Sequence, residues 1–206
     1  VPKNRFGESG TLEFNDVLTV GDFQKMGQKG YCTTHLSFGE SEDCEGWLVG
    51  EQNQGLRYMF QMMNGARIDV GLTAASTATA AYYASLKYAK ERPQGRRISN
   101  GGKKNKAAPQ TLIINHPDVR RMLLLQRAIT EGSIALLFQA SLHEDMVKSG
   151  PEAEREKHEN ILEMLTPIAK TYPSEMGRYA ISNGLQILGG YGFCTDFPLE
   201  QYYRDI

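Results

Sequence analysis

From residue 56 to residue 92 no proline interrupts about 37 residues, a run that as a single helix is about 55 Å long at the usual rise per residue. So long a helix belongs in a bundle, where neighbours cover its apolar face. The spacing of Met59, Met63, Ala66, Val70, Thr73, Thr77, Ala80 and Ala84 is that of a helix seam, and the small residues across 71–84 let a neighbouring helix approach closely. Residues 1–50 have another character. They are rich in glycine and turn residues, and the alternating stretches at 17–20 and 31–38 predict antiparallel strands.

Three further helices follow the long one. Pro117 suits a first helical turn and opens a run through Val119, Met122, Leu123, Ile129, Leu136 and Leu137 that breaks at Gly150-Pro151. Residues 152–170 give the third, with Ile161, Leu165 and Ile168 on one face. The fourth is expected to begin at Pro173-Ser174, with Ser174 as N-cap, and to end at Gly189-Gly190, which can take the left-handed conformation that closes a helix. Pro198 can then start another. The expected fold is mainly α: an antiparallel up-and-down four-helix bundle over residues 51–206, preceded by a small β-rich segment over 1–50. Residues 96–110 form a basic, small-residue loop, either solvated or in contact with a phosphate-bearing ligand or a neighbouring subunit.

Composition narrows the function classes. Lys and Arg total 23 against 24 Asp and Glu, so no long-range field favours nucleic acid or a membrane surface. No stretch approaches the roughly 20 apolar residues of a membrane span. Cys32, Cys44 and Cys194 are odd in number, widely spaced and without a CxxC motif, which suits free thiols in a reducing, cytoplasmic setting. A di-iron bundle needs Glu-x-x-His on two helices, but Ala140 and Arg155 stand three residues before His143 and His158, so no metal is expected. Gly190-Tyr191-Gly192 lacks the third glycine and preceding strand of a dinucleotide fingerprint, and Gly101-Gly102-Lys103 lacks the Walker spacing.

The stretch Gln186-Ile187-Leu188-Gly189-Gly190-Tyr191-Gly192-Phe193, followed by Pro198-x-Glu200 and Arg204-Asp205, resembles the C-terminal signature of the acyl-CoA dehydrogenases. Upstream, Lys25-Met26-Gly27 is similar to the middle β-domain of that family. Gly46-Trp47-Leu48-Val49-Gly50, Asn64-Gly65-Ala66-Arg67 and Tyr88-Ala89-Lys90-Glu91-Arg92 are similar to the entry and body of its first bundle helix. The chain most resembles the larger bacterial members, a group that includes 3-methylthiopropanoyl-CoA dehydrogenases.

The resemblance implies an FAD-dependent enzyme that desaturates an acyl-CoA thioester between the α and β carbons, passes electrons to an electron-transfer flavoprotein and assembles as a homotetramer. It implies that Arg92 reaches the FAD pyrophosphate of a neighbouring subunit. Gln186 and Gly190, beside Gly189, match positions at the adenosine-pyrophosphate end of the cofactor, and Arg67 sits near the acyl-CoA thioester. The family's catalytic glutamate lies in a Tyr-Glu-Gly-Thr-like stretch beyond the Arg-Asp pair, or immediately before the arginine matching Arg67, where this sequence has Ala66. No catalytic residue is therefore expected within the chain, which would be an inactive fragment by itself. Two departures bear on the cofactor: Pro93-Gln94-Gly95-Arg96 replaces an aromatic stretch, with Arg96 as a compensating group, and Pro117 follows His116 where relatives have glutamine.

Each residue also has a plainer role open to it. Arg92 can be a helix-end charge, Gly189-Gly190 a helix stop, and Arg67 an ordinary helix-surface cation. The alternatives at the level of the whole chain are a non-catalytic helical interaction module that keeps the fold, or an acyl-CoA oxidase.

Overall fold

The computed structural model describes residues 1–97, 102 and 107–206, apart from the side chain of Gln61. It is mainly helical, with four α-helices following two small antiparallel strand pairs, as the patterning implied. The chain divides into two compact units, Val1–Gln61 and Met62–Ile206.

In the first unit β1 (Asn4–Phe6) pairs with β2 (Leu12–Phe14), and β3 (Val17–Asp22) pairs with β4 (Thr34–Phe38), with an irregularity between Thr19 and Gly21. The expected strands at 17–20 and 31–38 correspond to β3 and the end of the second stretch, β4. Between the ribbons lies a polar knot. The buried Asn15 amide donates to the carbonyls of Pro2 and Glu45, both at 2.8 Å, and its oxygen accepts from the Glu45 amide at 2.9 Å. Asp16 adopts φ 49°, which aspartate tolerates better than most residues, and its carboxylate accepts from the Ser41 amide at 2.6 Å. Two-stranded ribbons cannot bury both faces. Accordingly Phe6, Leu12, Phe14 and Trp47 remain exposed.

The second unit is built on α1 (Gly55–Glu91), α2 (Pro117–Ser149) and α3 (Arg155–Leu188), closed by the short α4 (Leu199–Asp205). On α1 the buried stripe is Ile68, Gly71, Ala75, Ala78, Ser85 and Ala89. This corrects the expected seam, whose members Ala66, Val70, Thr73 and Ala80 are exposed. The packed positions fall one or two residues after those of the expected seam, a turn of roughly 100–200°, so a different face of α1 packs. The packed set is the one with the smallest side chains. A Cβ at Gly71 would stand 2.2 Å from the Ala169 carbonyl oxygen, and one at Gly177 would stand 3.3 Å from the Ala78 Cβ. Small residues within 71–84 do permit the close approach, as expected, through Gly71, Ala74, Ala75 and Ala78.

A second correction concerns α3. The two helices expected on either side of Pro173 are one helix containing both Pro167 and Pro173. Ser174 is not a cap: its hydroxyl donates back to the Lys170 carbonyl at 2.8 Å, inside the helix. Pro173 removes the amide that would normally satisfy the Ala169 carbonyl. That carbonyl instead faces the Cα of Gly71, a weak C–H···O arrangement suited to closely packed helices. Tertiary packing thus offsets the break that the two prolines favour. Along α3 the core side follows Thr166, Ala169, Pro173, Gly177, Ala180 and Gly184, leaving Ile168 exposed contrary to expectation.

All three long helices and α4 meet at Gly184. A Cβ there would stand 2.6 Å from both the Ser85 hydroxyl and the Leu199 Cδ2, and 3.4 Å from the Gln126 Oε1. The buried Ser85 hydroxyl donates to the Ala81 carbonyl at 2.7 Å and faces the Gln126 Oε1 at 3.4 Å. Around this point Ala89, Met122, Leu123, Ile187, Leu188 and Leu199 form an apolar cluster. The end of α3 is thereby anchored to α1 and α2. Just beyond it the chain emerges at Gly189, with φ 62° and ψ −134°. The positive φ was expected, but ψ lies far from the left-handed helical value, in a region that glycine alone occupies at low cost. A 3₁₀ turn, Gly189–Phe193, follows. Among the described residues no helix is long and apolar enough to cross a membrane.

Candidate functional site

The last turn of α1, the residues that follow it and the turn after α3 come together at one end of the second unit. Arg92 directly follows the last residue of α1, and its backbone is held from both sides. Its amide donates to the Tyr88 carbonyl and its carbonyl accepts from the Ile113 amide, each at 2.9 Å. A short antiparallel clamp continues from there. The Gln94 amide donates to the Thr111 carbonyl at 2.9 Å, the Thr111 amide donates to the Gly95 carbonyl at 3.1 Å, and His116 Nε2 lies 2.8 Å from the Gln94 carbonyl. His116 thus braces the segment after Arg92.

The Arg92 guanidinium lies 5.5 Å from the centre of the Tyr191 ring, within cation–π range. Arg92 has no carboxylate within ion-pair distance among the described residues. A shallow groove of about 310 Å³ runs between Tyr88, Arg92 and Gln94 on one side and Gly189, Gly190 and Tyr191 on the other. A larger groove of about 830 Å³ shares the two glycines and continues past Gln186, Phe193, Tyr203 and Arg204. Gln186 is exposed, and its side-chain amide has no partner among the described residues. In that groove Arg204 is paired with Glu200 at 2.9 Å. The nearby Arg178 is pushed above its ordinary range by hydrogen bonding to the Tyr203 hydroxyl and to Glu175.

Four of the residues singled out from sequence, Arg92, Gln186, Gly189 and Gly190, therefore line adjoining grooves. Arg67 does not join them. It is half-buried on α1, 25 residues before Arg92, or about 37 Å along the helix. Arg96 is turned inward, with its Nε donating to the Ala108 carbonyl. The loop expected at 96–110 falls largely on residues 98–101 and 103–106, which lie outside the described residues. Tyr191, the Gln94–His116 clamp and Glu200–Arg204 were not anticipated as parts of the site. Their contacts join segments far apart in sequence, as Arg92 with Tyr191 and Gln94 with His116 do.

The donor set suits a diphosphate ligand. A guanidinium without an ion-pair partner and an amide without a partner, among the described residues, line adjoining grooves that share an exposed pair of glycines, and neither glycine is there to relieve a clash, because a Cβ at either would meet nothing within 4 Å. Gly189 is required by its φ; Gly190 is not. Gly190→Ala should therefore leave thermal unfolding of the protein within about 0.5 kcal/mol of wild type, the usual range for surface substitutions, while weakening a ligand whose phosphate approaches the backbone. Unfolding and nucleotide titration on the same variant separate the two effects. Equal losses in both would make Gly190 a structural residue only.

His143 and His158, which fail the metal-ligand spacing, do meet across α2 and α3. Their Nδ1 atoms are 2.8 Å apart; Gln139 Nε2 lies 3.0 Å from His143 Nε2, and Glu154 lies 3.5 Å from His158 Nε2. One set of protons satisfies all three contacts, running Gln139 to His143 to His158 to Glu154. Among the described residues no group of three or more His, Cys, Asp or Glu is arranged to hold a metal ion.

Residues 103–206 match the model of the acyl-CoA dehydrogenase C-terminal domain, and the chain belongs to the acyl-CoA dehydrogenase family. It is 40% identical over 206 residues to a 3-methylmercaptopropionyl-CoA dehydrogenase of Ruegeria pomeroyi, covering 100% of this chain and 34% of that protein. It is 38% identical over 212 residues to a butyryl-CoA dehydrogenase of Syntrophomonas wolfei, with the same two coverages. The chain thus spans about a third of the length of the curated relatives it matches. Its fold is that of the butyryl-CoA dehydrogenase structure from Megasphaera elsdenii, with a TM-score of 0.73 at 20% identity over 94% of this chain and 45% of that one.

Proposed function

We propose that this chain contributes the bundle, and the end of the preceding β-domain, to an FAD-dependent acyl-CoA dehydrogenase that desaturates an acyl-CoA thioester between its α and β carbons. The observation that carries this reading is the convergence of Arg92, Gln186 and the Gly189-Gly190 ridge on adjoining grooves in a member of this family. FAD, when bound, supplies the ring that accepts the hydride removed from the β carbon.

Within this chain Arg92 would neutralise pyrophosphate through its two-pronged guanidinium. The Gln186 amide would hydrogen-bond nearby, and Gly190 would let phosphate approach the backbone. Arg67, far along α1, would stand toward the acyl-CoA thioester. The exposed apolar side chains of β1 and β2 support the reading of residues 1–50 as the edge of a larger β-domain. Apolar side chains left exposed on α1, including Val70 and Leu72, support assembly into a homo-oligomer. Electrons would leave to an electron-transfer flavoprotein in the cytoplasm.

The test is to load the full-length enzyme that contains this chain with FAD and incubate it with a panel of saturated acyl-CoA thioesters and an artificial electron acceptor. Enoyl-CoA formation is the expected result, and flavin-loaded protein that desaturates none of them would overturn the proposal. The 206 residues on their own are expected to be inactive, because Ala66 cannot take a proton where a minority of the family place the base.

A further inference from the structure

We infer that Tyr191 is a positioning residue for the Arg92 guanidinium, through an aromatic clasp that ties the end of α1 to the turn after α3; this rests on the cofactor reading of Arg92 given above. The clasp is closed. The Arg92 guanidinium lies over the Tyr191 ring at 5.5 Å from its centre, Tyr191 meets Phe197 at 5.4 Å, and Phe197 stands edge-on to Tyr88 at 5.8 Å. Tyr88 precedes Arg92 by one helical turn, and its carbonyl takes the Arg92 amide.

An arginine at a helix end has four rotatable side-chain bonds and ordinarily samples many rotamers. Here the backbone is fixed at both its amide and its carbonyl, and the ring face of Tyr191 gives the guanidinium a preferred place beside Gly189 and Gly190. A ligand anion between them meets a cation already in position, so less ordering entropy is lost on binding.

Tyr191 is half exposed and no buried group depends on its hydroxyl. The ring face is therefore the property to test. The protein is stripped of flavin and titrated with FAD, followed by the change in flavin fluorescence, for wild type, Tyr191→Leu, Tyr191→Phe, Arg92→Ala and the double variant Arg92→Ala with Tyr191→Leu. Tyr191→Leu is expected to weaken FAD about 2- to 5-fold, the range a surface cation–π contact supports. Tyr191→Phe should restore wild-type binding. In the Arg92→Ala background Tyr191→Leu should have no further effect, a non-additivity that a general structural role would not produce.

If Arg92→Ala weakens FAD and Tyr191→Leu does not, or if the two effects add, the positioning role is overturned while the cofactor reading stands. If Arg92→Ala leaves FAD binding unchanged, the cofactor reading fails and the inference with it. Helix content measured on each variant guards the comparison, and Tyr191→Met, which keeps apolar contact with Phe197 without an aromatic face, replaces leucine should that variant unfold.

Discussion

Alanine in place of Gly71 is expected to destabilise the helical unit by about 1–3 kcal/mol, and valine by more. In most helices the same substitution is favourable, because glycine costs roughly 0.5–1 kcal/mol relative to alanine. The sign reverses here because the new methyl would stand 2.2 Å from the Ala169 carbonyl oxygen and 2.9 Å from the Leu137 Cδ2. Neither neighbour can give way easily. Ala169 belongs to the backbone of α3, and Leu137 is buried. Separating α1 from α3 would reopen the seam of Ala74, Ala75 and Ala78 and take from the Ala169 carbonyl, whose usual i+4 amide is absent because residue 173 is proline, its contact with Gly71. Gly65 is the control on the same helix. A Cβ there would meet only the Glu144 carboxylate, at 3.8 Å, so Gly65→Ala should be neutral or stabilise by up to about 1 kcal/mol. Urea unfolding followed by helicity distinguishes the two, and equal responses at positions 65 and 71 would refute this account of the packing.

The pairing of Gly71 with Pro173 also shows what the sequence could and could not convey. Helix existence was legible because it depends on local signals: a proline-free run, Pro117 at a first turn, Gly150-Pro151 as a break and Gly189 as a stop. The helix boundary placed at Pro173 was not, because the missing amide is offset by a glycine about 100 residues earlier in the chain. The seam on α1 failed for a related reason. Two sets of residues share one periodicity, and the larger side chains of Met59 and Val70 made the wrong face look like the core. Which face packs was decided by steric access, a property of the partner helix.

The site divides in the same way. Arg92, Gln186, Gly189 and Gly190 stood out because a family signature marks them, and the fold brings them around adjoining grooves. Tyr191 lies inside the quoted signature, yet its contact with Arg92 joins segments 99 residues apart. Ligand spacing for His143 and His158 tests only neighbours along a single helix, whereas they meet between two. Periodicity reports what a helix offers to its surroundings. It carries no information about which two offers coincide.

Arg92→Ala is expected to weaken FAD retention by roughly 1.5–3 kcal/mol, the usual worth of a hydrogen bond to a charged group, equivalent to about 10- to 150-fold in affinity. The substitution is clean in structural terms. The Arg92 side chain is exposed and forms no ion pair among the described residues, and the backbone bonds to Tyr88 and Ile113 do not require a guanidinium. Stability should therefore stay near wild type while binding falls. Lysine should rescue only part of the loss, since an ammonium restores the charge but not the two-pronged geometry of a guanidinium held over Tyr191. Raising the salt concentration should narrow the gap between wild type and Arg92→Ala, because an exposed charge is screened within about 10 Å at 0.1 M. If the flavin is shared between subunits, the variant should also dissociate more readily, whereas Lys157→Ala, an exposed change on α3, should alter neither property. Prolonged dialysis with the flavin absorbance followed, and light scattering on the same samples, reads both effects. Arg92→Ala protein that stays intact and fully yellow would reduce Arg92 to a helix-end charge and leave the cofactor role to Gln186 and Gly190.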